Sequence, residues 1–470
     1  MGTISSAFSM MSGALDADQA ALNVVANNVA NANTTGYTEE TPDFQQNQSI
    51  DINGISLGQG VTETGATSQR DHVLEERLDQ QQQLASASGS RLSALNTIQA
   101  LFTPDSGSTS STAGDIGSDI TGFFNSFSSL EANPTNNSLR DEVLSSASTL
   151  AGDVSNAAAS LTSQQSALDQ EATGVVSQVN ALSGAVAQLN QQIQSSSPDA
   201  DAGTLEDQRQ QDLSQLSQLI GINQVTTGNN GLAITTASGQ LLVSEGSSFQ
   251  LTSGTVGGVT HFFVGTTDVT AQLAAGGGSL GGDLTARDHD IPNVLASLDQ
   301  LSYSVSTQVN ALNNAGTDLA GDNGHAGDIF SQPTQVAGSA WSMSVVMTDP
   351  NHISTASLGQ GTGDNTNAAA MASLGSQAIV NGQTPIDYYS NLVSTLGATV
   401  SGVQTENTAQ NASVTQLQTQ NDALSSVNLN DEASSMTQLE RSYQAASQVF
   451  TMLNTIMASA LNLGEQSTVS

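Results

Sequence analysis

The sequence predicts a mainly α protein with a β insertion. Paired N- and C-terminal coiled-coil-like helices form a stalk, and a small outer β domain stands off it. Three observations carry this expectation. The two ends share one apolar periodicity, the regular segment 138–197 keeps it without error from Leu168 to Ile193, and at Gly221 it gives way to short alternating runs.

The first helix is expected over Thr3–Ala32. Ile4, Phe8, Met11, Leu15, Leu22, Val25 and Val29 recur on a spacing built from fours and threes, with Asp18 as the one polar break. Such a spacing averages about 3.5 residues, the period of a seam packed against another helix. Asn31-Ala32-Asn33-Thr34-Thr35-Gly36-Tyr37 ends it in turn formers, with Gly36 at the stop. Residues 38–68 read as extended. Helix resumes over Ser68–Phe102 on Leu74, Leu78, Leu92, Leu95, Ile98 and Leu101. A Ser/Gly/Thr loop at 103–114 and a short helix over 116–131 follow, then a turn at Asn133-Pro134-Thr135-Asn136-Asn137.

The segment 138–197 carries Leu168, Ala172, Val175, Val179, Leu182, Val186, Leu189 and Ile193 at alternating fours and threes. As one helix it would be on the order of 90 Å long, a rod. Pro198 stops it, and a further helix is expected over 204–220. Residues 222–286 hold Gly231-Leu232-Ala233-Ile234-Thr235, Gln240-Leu241-Leu242-Val243 and His261-Phe262-Phe263-Val264, separated by turns such as Gly228-Asn229-Asn230-Gly231. Helix is expected again over 292–314, a β pair over 328–348, and helix from 388 to the end. Asn428-Leu429-Asn430-Asp431 should cap the last helix. Its seam is Met436, Leu439, Tyr443, Ala446, Phe450, Leu453, Met457 and Ala460, with Leu461 beside it.

The two ends should pair, with the β domain at the far end of the stalk. Residues 1–68 with 425–470 then form a terminal helical domain. Residues 69–221 with 287–327 and 349–424 form a long-helix stalk domain, and 222–286 with 328–348 the outer β domain.

Composition excludes several function classes. Seven Arg and no Lys stand against 43 acidic residues, for a net charge of -36, which argues against nucleic acid or an anionic membrane as partner. There is no Cys, hence no disulfide and no thiol chemistry. No apolar run reaches the roughly 18 residues of a membrane span, and no cleaved signal is expected at the start. His72, His261, His289, His325 and His352 have no zinc-like grouping. Arg287-Asp288-His289-Asp290 reads as acids favourable to a helix start. Asp318 to Asp328 looks like a calcium loop but fails the ligand spacing, and reads as a Gly-rich turn. No nucleophile elbow or phosphate loop is present. The expectation is no enzyme, no cofactor and no metal.

Asn27 and Asn28 lie two turns from a helix end, where capping alone does not account for their amides. Either the helix frays there into turn chemistry, or the amides reach backbone groups of a neighbouring chain.

Asn27-Asn28-Val29-Ala30-Asn31-Ala32-Asn33-Thr34-Thr35-Gly36-Tyr37-Thr38 resembles the N-terminal signature of the bacterial flagellar rod, hook and hook-associated proteins. Tyr443-Gln444-Ala445-Ala446-Ser447-Gln448-Val449-Phe450 with Leu461-Asn462-Leu463 is similar to their closing helix. Gly282-Asp283-Leu284, Arg287-Asp288, Pro292, Leu298-Asp299-Gln300-Leu301 and Val309-Asn310-Ala311-Leu312-Asn313 resemble the central helix of the first hook–filament junction family, with Asn313-Asn314 where a His-containing pair is expected. The resemblance implies a structural adaptor secreted through the flagellar type III export apparatus, with an export chaperone on the C-terminal region. It implies a ring of copies between the hook protein and the second hook–filament junction protein, in the extracellular flagellum. Assembly residues would then be the two seams with Asn27, Asn28, Asn31, Asn33, Gly36 and Tyr37. The alternatives are another axial protein (hook protein or second junction protein) or a secreted surface-binding protein that uses the β domain.

Overall fold

A computed structural model describes residues 2–52, 55–102, 115–197, 201–324 and 326–466. Helix α1 spans Gly2–Asn31. A hairpin of β1 (Glu40–Gln46) and β4 (Val61–Ser68) follows, with the short pair β2 (Ile50–Ile52) and β3 (Ile55–Leu57) at its tip. Helix α2 (His72–Ala100) starts at Asp71, whose carboxylate accepts from the Val73 and Leu74 amides. Such a cap satisfies N–H groups that have no partner within the helix. Asp115 does the same for α3 (Ile116–Ala132), and Asn136 for the 60-residue α4 (Asn137–Ser196). Helix α5 (Thr204–Leu219) completes the first half.

The insertion is a four-stranded antiparallel sheet and a three-stranded one. The first orders β5 (Ile222–Thr226), β6 (Leu232–Thr236), β7 (Leu241–Ser244) and β8 (Ser247–Ser248) in sequence. The second is β9 (Leu251–Val256), β10 (Val259–Val264) and β11 (Thr267–Asp268). Two short helices, α6 (Thr270–Gly276) and α7 (Gly278–Thr285), occupy the stretch expected to end the β block. Small residues there let helices meet closely: a Cβ on Gly282 would lie 2.2 Å from the Ala87 carbonyl oxygen of α2.

A π-turn at Ala286–Asp290 carries α7 directly into α8 (Ile291–Ala315), so no helix begins at the charged cluster. Asp288 and Asp290 are therefore ion-pair partners rather than helix-start charges. Arg91 of α2 grips Asp290 through Nε at 2.8 Å and Nη2 at 2.9 Å. Arg287 binds Asp288 at 2.7 Å and Asp169 of α4 at 2.6 Å.

The remaining elements are β12 (Gly316–Thr317), α9 (Ser339–Ser342), β13 (Ala356–Ser357), α10 (Thr366–Ser373), α11 (Pro385–Ser425) and α12 (Leu429–Gln466). Asn428 caps α12, accepting from the Asn430 amide at 3.1 Å.

The β pair expected in residues 328–348 forms only as a short one: Phe330 bridges Val345, the Ser331 amide donates to the Ser344 carbonyl at 2.8 Å and the Val346 amide to the Ile329 carbonyl at 2.9 Å, with α9 in between. Asn310 of α8 fastens it to the helices. Its Oδ1 accepts from the Ile329 and Phe330 amides, both at 3.0 Å, and its Nδ2 donates to the Phe330 carbonyl at 2.9 Å. The side chain takes backbone N–H and C=O groups that the bridge to Val345 does not use. Ile329, Phe330, Ala340, Met343 and Met347 then pack in a helical core, not with the sheets.

Two cores lie along α4. Val143, Ala147, Leu150, Val154 and Leu161 join α3, α8 and α11 in the helical one, where Phe123 packs edge-on to Phe127 and Phe330. Ala172, Val175, Val179 and Val186 join α5, α7 and the sheets in the other. A rod this long needs cover on both halves, and the two units supply it. The sheets do not sit at the far end. Along α2, Asp79 and Gln83 meet β5 first, through Gln224 and the Ile222 carbonyl, and Leu92–Phe102 enter the helical core beyond.

Asp79 is the buried polar tie of this middle region. One carboxylate oxygen accepts from Gln210 of α5 at 3.0 Å and Gln224 of β5 at 2.8 Å, and the other has no partner. Burial pushes its pKa up to about 7, and the two amides pull against that rise. The folded state thus keeps a proton that the unfolded chain releases above pH ~4. This contribution to stability is complete below that pH and is lost as pH rises to about 7. Asp79→Asn should remove it: unfolding free energy measured by urea titration should fall between about pH 4.5 and pH 8 by about 2–4 kcal/mol less than in the parent. Equal pH slopes in the two proteins would refute the assignment.

Candidate assembly interface

The two ends meet as expected. Helices α1 and α12 pack along their lengths, and the rings of Phe8 and Phe450 stack with centroids 4.4 Å apart and a 36° tilt. The buried line on α1 is not the one the large residues suggested. Ala17, Ala21, Val25 and Asn28 are buried, whereas Met11, Leu15 and Leu22 are half-buried and Val29 is exposed. Small side chains make up most of this buried line, and the large ones are only half-buried. On α12, Leu439, Phe450, Leu453 and Met457 are half-buried, while Met436 and Tyr443 are exposed. The side chains of Ile4 and Leu461 lie outside the described residues.

A second apolar line on α12 escaped the sequence reading. Val449, Met452 and Ile456 are 41%, 60% and 52% exposed. With Ala445 they follow a four-three-four spacing on the face turned away from α1. The signal was present in the sequence. The stronger seam beside it claimed the helix.

Asn28 is the hub where the two ends meet the rest. It is 1% exposed and uses its whole amide. Nδ2 donates to the Glu40 carbonyl at 2.8 Å and to Glu432 Oε1 at 2.9 Å; Oδ1 accepts from the Tyr37 hydroxyl at 2.8 Å and the Glu40 amide at 3.1 Å. One side chain thus ties α1, the following turn, β1 and α12. Its partners lie in its own chain, so a neighbouring backbone is not what it reaches. The reason is the turn. Gly36, at φ +80°, adopts the left-handed conformation that swings Tyr37 and Glu40 back over the helix end.

Glu432 is buried beside this hub. Burial raises its pKa, and the Asn28 donor opposes the rise. Burial raises the Tyr37 hydroxyl above its ordinary value too, with Glu40 the largest nearby charge.

Asn27, Asn33, Thr34 and Thr35 are exposed. Asn31 donates to the Asn27 carbonyl at 3.1 Å and the Asn27 side-chain oxygen at 2.8 Å, which ties this part of the signature into a surface-lying polar patch.

Further bonds lock the turn to the body. The Thr38 amide donates to Asp207 at 3.1 Å, the Glu39 amide to the Ser425 carbonyl at 2.8 Å, and the Ser68 amide to Asp201 at 2.6 Å. Arg70 pairs with Asp207 and lies 3.9 Å from Glu206. These four segments enclose a polar cavity of about 530 Å³, lined by Tyr37, Asp79, Asp207, Gln211 and Asn421 among others.

The arrangement is a chain closed end to end, with one apolar face left over. Among the described residues no helix is long and apolar enough to cross a membrane.

Comparison with known proteins agrees with this architecture. Residues 106–330 match the family described as flagellar hook-associated protein FlgK helical domain, and residues 10–38 match the flagella basal body rod protein family. The chain is 26% identical to flagellar hook-associated protein 1 of Bacillus subtilis, over 96% of each chain. It is 25% identical to the protein of that name in Escherichia coli, over 96% of this chain and 98% of that one. The solved flagellar hook junction protein FlgK of Burkholderia pseudomallei superposes with a TM-score of 0.65 at 17% identity, covering 73% of this chain and 99% of that one, which fixes the likeness of fold.

The protein is by class an axial component of the bacterial flagellum. Within that class it is similar over nearly its whole length to flagellar hook-associated protein 1.

Because Asn28 has four partners and stays buried, its loss should be felt far along the chain. Asn28→Ala should destabilise the α1–α12 pair by about 2–4 kcal/mol, since it leaves Glu432 and Tyr37 without their partner. Hydrogen exchange should then speed up along both terminal helices and leave α3 and α8 unchanged. The exposed neighbour serves as control, and Asn27→Ala should shift exchange little. Equal protection in parent and Asn28→Ala would refute the hub.

Proposed function

We propose that this chain is the structural adaptor of the hook–filament junction, on which the filament assembles. The observation that carries the proposal is the second apolar line of α12. With the ends of the monomer closed on each other, none of the described residues covers Val449, Met452 and Ile456. Exposed apolar patches of this kind mark surfaces made for a partner. A further copy of the chain supplies that cover by packing α1 and α12 of adjacent subunits into a tube. The exposed signature residues Asn27 and Asn33, with the hairpin residues Phe44 and Val61, face outward and meet neighbours in the same ring.

On this reading residues 1–68 with 425–470 are the inner-tube domain. The two units along α4 stand outside it, with the sheets on their flank. The hook protein lies below the ring and the second junction protein above. An export chaperone covers the C-terminal region before secretion through the type III apparatus, because α12 is the segment most in need of cover. The protein works outside the cell, and its contribution to motility is mechanical rather than catalytic.

A deletion strain complemented with variants tests this. Electron microscopy of the deletion should show hooks without filaments, with flagellin shed into the medium. Absence of hooks would move the protein to the rod or hook. Ile456→Asp should reproduce the deletion, because burying the new carboxylate against a neighbour costs several kcal/mol. The purified variant should keep the parent's helical content, since this position faces solvent in the monomer. Normal filaments in that strain would overturn the role given to this face.

A further inference from the structure

We propose that Asp318, Asp322 and His352 form a binding site for one transition-metal dication, with zinc the best match to the donors. The site lies after α8, away from the assembly ends. One ligand atom from each residue falls within 4.8 Å of the other two. His352 Nδ1 is 2.7 Å from Asp318 Oδ2 and 3.7 Å from Asp322 Oδ2. Ligands held at about 2.0–2.2 Å from a tetrahedral ion stand roughly 3.3–3.6 Å apart. Both separations from the imidazole therefore lie within an ångström of that spacing.

Each donor is already positioned. Asp318 has a fully buried carboxylate whose Oδ1 accepts from the Asp322 amide at 2.8 Å, which leaves Oδ2 turned to the imidazole. The Asp318 amide returns a bond to the Asp322 carbonyl at 3.2 Å, and the Thr317–Asn323 bridge closes the loop. His352 ends a short turn that begins at Pro350, capped by the Asp349 carboxylate, and Asn313 of α8 donates to the His352 carbonyl at 3.1 Å. Such supporting bonds hold ligands in a binding orientation before the ion arrives. His352 and Asp322 are partly open to solvent, which gives the ion a way in.

Charge favours the same reading. Arg140 is the cation that faces Asp318, and its guanidinium is held on the carbonyls of Pro134, Pro350 and Ile353 and on the Thr355 hydroxyl. The carboxylates of Asp318, Asp322 and Asp349 against one guanidinium leave two negative charges over, which a dication balances. On binding, the zinc–Nδ1 bond forms as the N–H bond at that nitrogen breaks, and the proton leaves to solvent. Two carboxylate oxygens and an imidazole suit zinc, whereas calcium takes six to eight oxygens and no nitrogen. The ion would staple the loop after α8 to the turn before β13. The sequence hides the site because His352 stands 34 residues from Asp318.

Titration calorimetry of the full chain, stripped with chelator and then given zinc chloride, tests the proposal. The expected result is one saturable site per chain and a melting midpoint that climbs with the logarithm of zinc concentration. His352→Ala and Asp322→Asn, both at partly open positions, should weaken binding at least tenfold while circular dichroism stays that of the parent. His261→Ala, whose imidazole pairs with Asp268 in the β unit, should bind as the parent does. No saturable zinc uptake, or uptake unchanged by His352→Ala, would overturn the assignment. So would calcium binding as tightly as zinc.

Discussion

The structure rests on one closure: the side chain of Asn28 reaching Glu432, 404 residues away. Without that contact and the turn folded over it, α1 and α12 are two helices with modest local support. Isolated helices gain most of their stability from packing on an apolar face. Closure also places everything between the ends. The β1–β4 hairpin leaves α1 through the Asn28-bound Glu40 and delivers α2 at Ser68, where Asp201 takes the amide. Helix α11 returns to the same place, with the Ser425 carbonyl on the Glu39 amide. Four long segments therefore converge on a few hydrogen bonds at one level of the molecule. The two cores along α4 hang from that level.

The scarcity of positive charge shapes the rest. Of seven Arg, four are buried or nearly so, and each serves as an internal fastener. Arg70 binds the turn to α5. Arg140 gathers three carbonyls, Arg209 holds Asn190 and the Asn230 carbonyl, and Arg287 links the π-turn before α8 to α4. A guanidinium suits this work because it stays charged and offers several donors in a fixed fork. The consequence is a surface with many carboxylates and few cations. Copies of such a chain repel one another at long range, so adhesion between them has to come from short-range apolar contact. On the proposed reading the open line of α12 supplies that contact.

Much of the fold was legible in the sequence, and the failures share a cause. The spacing of Leu168 to Ile193 announced the long helix, and Gly221 marked the change to strands. Both signals are local and repeat many times. What stayed hidden depends on one residue meeting another far away. Asn310 fastens the short β pair at 328–348 to a helix by supplying amide bonds, and nothing in the spacing of Phe330 and Val345 could show that. The charged run at 287–290 resembled a helix start because its ion-pair partners, Arg91 and Asp169, lie elsewhere. At the assembly face the large residues of α1 were legible, while Ala17 and Ala21 were not. A small buried residue carries little apolar signal although it sets how closely two backbones approach.

The two faces of α12 explain why a chain that folds alone is not finished alone. Its inner face is half-buried against α1, and that pairing already satisfies the hub at Asn28 and Glu432. Its outer face, through Val449, Met452 and Ile456, gains nothing from folding and everything from a neighbour. Each of these side chains is worth about 1.5–3 kcal/mol on full burial, against an entropic cost of association of comparable total size. One such contact is therefore weak, and a lone pair of chains stays apart. A closed ring gives every subunit two neighbours, so the same contact is made twice per chain after the association cost has been met along the circle. On the proposed reading the chain is a monomer in solution and a ring on a template, and the switch between them requires no change of fold.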